Sequence, residues 1–197
     1  MFYEKLKRYH IILASGSPRR QELLREIGLD FEIRINDRPE EKYPSGLSQD
    51  EIPVYLAELK ARSITDNISE SVLLITADTI VWINGRVADK PRDSEDATRI
   101  LKELSASVHE VVTGVCFRNG ERWHTFYAST RVWFSDLTDE EILYYVDKYG
   151  PYDKAGAYGI QEWIGYIGIE KIEGSYFNVM GLPVQKVYHE LKEFLGE

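Results

Sequence analysis

The sequence predicts an α/β or α+β fold built on a mixed β-sheet, and three features support this expectation. Short β-rich runs alternate with helical patterns along the 197 residues, which is typical of these fold classes. Two Asn-Gly pairs lie between β-rich runs. This dipeptide favours hairpin turns between antiparallel strands, so an all-parallel sheet is disfavoured. A hydrophobic content of 43% is ordinary for a globular domain, which excludes wholesale disorder.

The first third of the chain predicts one strand and two helices. The apolar run from His10 to Ala14 predicts a strand. A helix over Pro18 to Ile27 follows, and a glycine stands where glycine commonly ends a helix. Ser48 and Glu51 have the spacing of a capping box, which predicts a second helix over residues 53–64.

The middle of the chain predicts a long strand that turns back on itself. Val72 to Ile83 is a β-rich run, and Asn84-Gly85 favours a type I′ turn into residues 86–91. The remaining predicted elements are a helix over 95–105 capped by Asp93 or Ser94, strands over 110–117 and 121–134 joined by Asn119-Gly120, a helix over 139–149 capped by Thr138 with Glu141, an irregular Gly-rich β segment, and a helix over 183–195.

Composition narrows the class of protein. The chain has 24 Lys and Arg against 33 Asp and Glu, a formal net charge of -9, and an acidic protein is a poor non-specific nucleic-acid binder. No apolar run approaches the roughly 18 residues of a membrane span, and the first ten residues lack the apolar stretch of a signal peptide. The only cysteine, Cys116, excludes an internal disulfide framework and a multi-Cys zinc site. We therefore expect a cytoplasmic protein that binds neither nucleic acid nor membrane.

Residues 14–20, ASGSPRR, form the most informative segment. A strand ends there, Ser17 is a good helix N-cap, and Pro18 suits the first helical position. Arg19 and Arg20 then fall in the first turn, where the helix dipole disfavours cations. The conflict disappears if an anion binds there, because backbone N–H groups, guanidinium groups and hydroxyls would converge on it. The alternative is that both arginines are solvated or pair with surface acids.

A carboxylate lies inside the predicted strand over residues 72–83. Asp78 has apolar neighbours on both sides, and an unpaired buried carboxylate is costly, so it must have a partner. The hairpin brings Lys90 close to Asp78, although strict pleating would place the two side chains on opposite faces. The same register places Asp89 diagonally across from Asp78, which would suit a metal. The sequence leaves both possibilities open.

A third candidate segment is the Gly-rich run 153–161, DKAGAYGIQ. Its glycines would let backbone approach a ligand closely, Lys154 could meet a phosphate, and Gln161 could read a base. An ordinary turn has the same composition. Lys60, on the second predicted helix, is unremarkable by itself because most helix lysines are solvated.

Taken together, these segments resemble the Maf family of nucleoside triphosphate pyrophosphatases. The resemblance runs from LASGSPRRQELL through ADTIV, DKP and DKAGAYGIQ to GSYFNVMGLP, which is essentially the whole chain. It implies a single domain over residues 1–197, with an elongated mixed sheet and two lobes around a deep central cleft. It also implies a cytoplasmic enzyme that hydrolyses a nucleoside triphosphate to the monophosphate and pyrophosphate with Mg²⁺ or Mn²⁺, and a possible homodimer.

The resemblance also assigns roles to individual residues. The form of the Gly-rich run is similar to the branch that acts on dTTP and UTP, and the pair Glu162-Trp163 departs from the smaller residues usual after it. A role in cell division or septum formation, with little catalysis, is the alternative. The implied catalytic residues are Asp78, Lys60 and Lys90, the substrate-binding residues are Ser15, Ser17, Arg19, Arg20, Thr79, Lys154 and Gln161, and the metal ligands are Asp78 and Glu40, with Glu41 as the other choice of register.

Overall fold

The chain forms a mixed sheet flanked by helices in a computed structural model that describes residues 2–35, 42–64 and 68–196. The elements are α1 (Phe2–Leu6), β1 (His10–Leu13), α2 (Pro18–Glu26), β2 (Glu32–Ile33), α3 (Glu51–Ser63), β3 (Val72–Ile83), β4 (Arg86–Ala88), α4 (Ser94–Leu104), β5 (Val108–Asn119), β6 (Arg122–Phe134), α5 (Asp139–Tyr149), a short 3₁₀ helix (Ala155–Ala157), α6 (Trp163–Gly168), β7 (Ile169–Glu173), α7 (Tyr176–Met180) and α8 (Val184–Phe194).

The described strands form one seven-stranded sheet in the order β2-β1-β3-β5-β6-β7, with β4 paired to β3. Strand β1 is parallel to both β2 and β3, whereas β3 with β4 and β6 with β7 are antiparallel. The prediction of a mixed sheet flanked by helices is therefore confirmed.

The first hairpin has the predicted turn and register. Asn84 and Gly85 both have positive φ, 51° and 76°, as a type I′ turn requires. Ile83 pairs with Arg86, and β4 ends at Ala88. Asp89 and Lys90 therefore lie beyond the end of the strand.

Three local predictions need correction. The second hairpin turns at Gly120-Glu121 because Asn119 remains in β5, where its side-chain amide donates to the carbonyls of Glu70 and Val72. The segment predicted as irregular β is instead α6, β7 and α7, and α1 was not predicted. Helix α3 begins at Glu51, whose carboxylate accepts from the Ser48 backbone N–H at 2.8 Å.

The chain divides into two compact units. The first unit comprises Met1–Asp78, Thr113–Ala128 and Gly181–Glu197, and the second comprises Thr79–Val112 and Ser129–Met180. This division does not test the predicted two lobes around a cleft, which stay a prediction.

In the first unit, α3 packs on the sheet. The core cluster there joins Ala57 and Ala61 of the helix to Ile12, Leu74 and Cys116 of three strands. The backbone of α3 comes so close to β5 that a Cβ at position 114 would lie 2.3 Å from the Pro53 backbone. Only glycine fits at this position.

The second unit buries the apolar faces of α4 and α5. Leu101, Leu104, Ile142 and Tyr145 are each at most 1% exposed. Thr138 and the carboxylate of Glu141 make a complete capping box at the start of α5, as predicted. Among the described helices of both units, none is long and apolar enough to cross a bilayer.

Candidate active site

The guanidinium of Arg20 joins three separate stretches of the first unit. Its Nε donates to the carbonyl of Gly181 and its Nη1 to the carbonyl of Ala77, both at 2.8 Å, and Nη1 also lies 3.4 Å from Ser15 Oγ. Ala77 immediately precedes Asp78. Arg20 therefore fixes the backbone beside that carboxylate, and the carbonyls offset part of the cost of a cation in the first turn of α2.

The start of α2 retains the features of an anion site. Ser17 occupies the N-cap position with extended backbone, yet its hydroxyl makes no capping hydrogen bond, and the first turn contains no acidic residue. The Ser17 N–H donates to the buried Ser15 Oγ at 3.3 Å. Arg19 adds a second cation to this turn. Uncapped N–H groups and two guanidinium groups at one helix N-terminus are suited to a phosphate chain.

Asp78 forms an ion pair with Lys60. The side chains are 10% and 19% exposed, respectively, so the pair is largely withdrawn from water. Spacing in the sequence gave no indication of this pair, because a helix residue meets a strand residue only through tertiary packing.

The pair is positioned by a buried hydrogen bond between the same helix and strand. Thr76 Oγ1 donates to the carbonyl of Ala57 at 2.7 Å. Thr76 and Asp78 share one face of β3 because side chains alternate along a strand. Lys60 lies about one helical turn beyond Ala57, so the bond holds Lys60 in register with the carboxylate.

The four remaining predicted residues that the structure describes belong to the second unit. Thr79 directly follows Asp78 and is half-buried, whereas Lys90 is exposed. Gln161 is exposed, and its side chain makes no hydrogen bond to any described residue. Lys154, by contrast, is only 9% exposed.

The buried Lys154 belongs to a network of polar groups around the Gly-rich loop. Its Nζ lies 2.7 Å from Asp153 Oδ1 and 3.0 Å from Glu162 Oε1. The other oxygen of Glu162 accepts from the Tyr145 hydroxyl, which in turn accepts from the Gly159 N–H at 3.1 Å. Burial and the neighbouring carboxylate raise the pKa of Tyr145 above its usual range, so the hydroxyl stays protonated and donates.

Two other titratable groups are buried away from the predicted chemistry. Cys116 is fully buried, and burial raises the pKa of its thiol to about 12, so the thiol is unreactive. His109 is 1% exposed and its Nε2 lies 2.7 Å from the Tyr158 hydroxyl. Burial lowers the pKa of His109 to about 4.

The donor set around Asp78 limits how a cation could be held. Across residues 2–35, 42–64 and 68–196, no group of three His, Cys, Asp or Glu side chains could ligate a metal by itself. Glu40 and Glu41, the other predicted ligands, lie outside the described residues. A lone carboxylate suits Mg²⁺, which proteins commonly bind through one or two carboxylates together with substrate phosphates. Asp78 therefore fits a cation that is shared with a phosphate chain.

Comparison with known proteins identifies the family. The chain is 52% identical over 191 residues to a dTTP/UTP pyrophosphatase of Flavobacterium johnsoniae, covering 97% of this chain and 98% of the relative. It is 53% identical over 191 residues to the dTTP/UTP pyrophosphatase of Parabacteroides distasonis, covering 97% and 99%. A HAM1 protein structure from Coxiella burnetii matches with 15% identity and a TM-score of 0.49, covering 94% and 99% of the two chains. The family described as Maf-like protein matches residues 10–194, so the chain belongs to the Maf-like protein family.

Proposed function

We propose that this protein hydrolyses dTTP and UTP to the corresponding monophosphate and pyrophosphate and so acts in nucleotide-pool house-cleaning. The observation that carries the proposal is the environment of the Asp78 carboxylate. It forms an ion pair with Lys60, and the carbonyl of the preceding residue, Ala77, accepts a hydrogen bond from Arg20. The names of relatives at about half identity over nearly the full chain support the substrate class.

The start of α2 binds the phosphate chain in this proposal. The proposed phosphate ligands are Ser15, Ser17, Arg19 and Arg20. A triphosphate brings about four negative charges and the protein is itself acidic, so the local cations must outweigh the long-range repulsion. Two of the Arg20 nitrogens already bind carbonyls, so Arg20 also shapes the loop while its charge stabilises the phosphates.

Asp78 is the proposed general base. It takes a proton from a water molecule whose oxygen attacks the α-phosphorus in line with the bond to the β-phosphate. The new O–P bond forms as the α–β bridging bond breaks, and pyrophosphate leaves with the bridging oxygen. Lys60 forms an ion pair with this carboxylate and orients it, and Lys90 is the proposed second catalytic cation.

Divalent metal belongs to the same proposal. Bound Mg²⁺ or Mn²⁺ would supply Lewis-acid chemistry by neutralising phosphate charge. Asp78, with Glu40 as the second predicted ligand, would hold the cation.

The remaining proposed substrate-binding residues are those that the family resemblance implies. We assign the base contact to Gln161 and further substrate contacts to Thr79. Lys154 is also a proposed ligand, but its two carboxylate partners support a role in shaping the loop. A cytoplasmic location and a homodimer stay predictions. The names of the relatives do not favour the alternative of a cell-division regulator with little catalysis.

A substrate panel tests the proposal. Wild-type protein is incubated with canonical and modified triphosphates and Mg²⁺ or Mn²⁺, and monophosphate and pyrophosphate are quantified. We expect dTTP and UTP to be cleaved with the highest kcat/KM, with the two products in equal amounts. Release of diphosphate and orthophosphate, or no turnover of either pyrimidine nucleotide, would refute the proposal.

A further inference from the structure

The backbone of the Gly-rich loop is held in an unusual conformation. Gly156 and Ala157 both have positive φ, 70° and 58°. A residue with a side chain, such as Ala157, rarely adopts this left-handed backbone conformation. A Cβ at position 156 would lie 2.8 Å from the side chain of Val81. Such backbone persists only where surrounding contacts determine it.

Glu162 supplies contacts that determine it. Its carboxylate bridges Lys154, at the start of the loop, and Tyr145, whose hydroxyl accepts from the N–H of Gly159. The side chain of Glu162 also lies against Gly159, since a Cβ there would be 2.8 Å from the Glu162 carboxyl carbon. The Glu162 N–H donates to the carbonyl of Gly159 at 3.0 Å. The two ends of the loop are thus joined through one carboxylate.

The contacts of Glu162 fix the backbone on both sides of Gln161, the residue that we assign to the nucleobase. Gln161 lies between Gly159 and Glu162, and its exposed side chain has no hydrogen-bond partner among the described residues. Its position is therefore set by the backbone. We infer that Glu162 is a positioning residue that fixes the 153–161 loop and thereby presents Gln161 to the nucleobase. This inference rests on the proposed function and adds a residue that determines recognition of the base.

The inference separates binding of the base from binding of the phosphates. Glu162→Gln removes the charge that Lys154 pairs with and keeps the size of the side chain. Tyr145→Phe removes the hydroxyl between Glu162 and Gly159 and keeps the ring. Inorganic tripolyphosphate has the phosphate chain without the base. A loss of base positioning therefore raises the KM of dTTP and leaves inhibition by tripolyphosphate unchanged.

The test measures kcat and KM for dTTP, the Ki of tripolyphosphate, and hydrogen exchange at the Gly159 amide. We expect both variants to raise the KM about tenfold, the effect of misplacing one hydrogen bond, with kcat and Ki within about twofold of wild type. Exchange at Gly159 should become faster. Glu173→Gln, which removes exposed ion pairs with Lys171 and Arg131 in the same unit, is the control and should match wild type.

Each result decides the inference. An unchanged KM with faster exchange at Gly159 would show that Glu162 has only a structural role and would overturn it. Equal rises in KM and Ki would overturn it too, because the defect would then extend beyond the base. If Glu162→Gln does not fold, Tyr145→Phe decides alone. A wild-type protein without dTTP hydrolysis would refute the proposed function, whereas normal KM values in variants of an active enzyme would refute only this inference.

Discussion

Replacing Lys60 with methionine would leave the Asp78 carboxylate without its ion-pair partner while keeping a long side chain in α3. The Asp78 side chain is only 10% exposed, and removing one member of a buried ion pair costs about 3–5 kcal/mol. Lys60 keeps 19% of its side chain exposed, so we expect the low end, about 3 kcal/mol. For a chain of this length that corresponds to a fall in Tm of roughly 6–12 °C.

The assay is a double-mutant cycle with Lys60→Met, Asp78→Asn and the double variant, measured by urea unfolding. The double variant should recover most of the lost free energy of unfolding, because it no longer buries an unpaired charge. Additive effects of the two single substitutions would refute the reasoning, and so would a Lys60→Met protein as stable as wild type. Turnover of dTTP should be lost in all three variants.

The remaining predictions concern Arg20, Arg19 and His109. Arg20→Lys keeps the charge but cannot reach two carbonyls with a planar fork, so Tm and kcat/KM should both fall; unchanged thermal melting would contradict the anchoring role. Arg19→Ala should raise the KM of dTTP with little change in Tm. An unaltered KM would show that Arg19 does not bind the nucleotide. The buried His109 stays neutral to about pH 4, whereas in the unfolded chain it takes up a proton below about pH 6.5. The free energy of unfolding should therefore fall by about 3 kcal/mol as the pH is lowered from 6.5 to 4. Urea unfolding at several pH values should show that His109→Gln removes this part of the pH dependence of stability. The same pH dependence in the variant and the wild type would contradict the role given to His109.

Local sequence signals predicted those parts of the fold that depend on local interactions. Asn84-Gly85 determined both a turn and a register, because a two-residue turn fixes the pairing of the strands on either side. The cap at Thr138 likewise needs only residues within one helical turn. The α6-β7-α7 segment has neither a clear hydrophobic period nor such a signal, and its structure was not predicted.

The site was predictable in its composition and much less in its contacts. Two arginines in the first turn of α2 broke a local rule, which correctly marked the segment as unusual. The sequence interpretation assigned both to an anion, yet Arg20 also binds the carbonyls of Ala77 and Gly181, which lie far away in the chain. In the same way, the pair formed by Lys60 and Asp78 depends on packing between α3 and β3.

Glu162 illustrates the same limit. In the sequence, Glu162 differs from the smaller residues usual after the Gly-rich run, and no pattern indicated which residues it would contact. Its partners Lys154 and Tyr145 become neighbours only when α5 and the loop pack in the second unit. Sequence reasoning therefore identified the loop and missed the residue that joins its ends.

The proposed reaction requires Asp78 to activate the water that attacks the α-phosphorus of dTTP. The most direct measurement compares steady-state release of dTMP and pyrophosphate by wild-type protein and by a folded Asp78→Asn variant. We expect turnover to fall by about two to four decades with the thermal melting transition still cooperative. Pyrophosphate release from the folded variant at a rate near that of wild type would contradict the account.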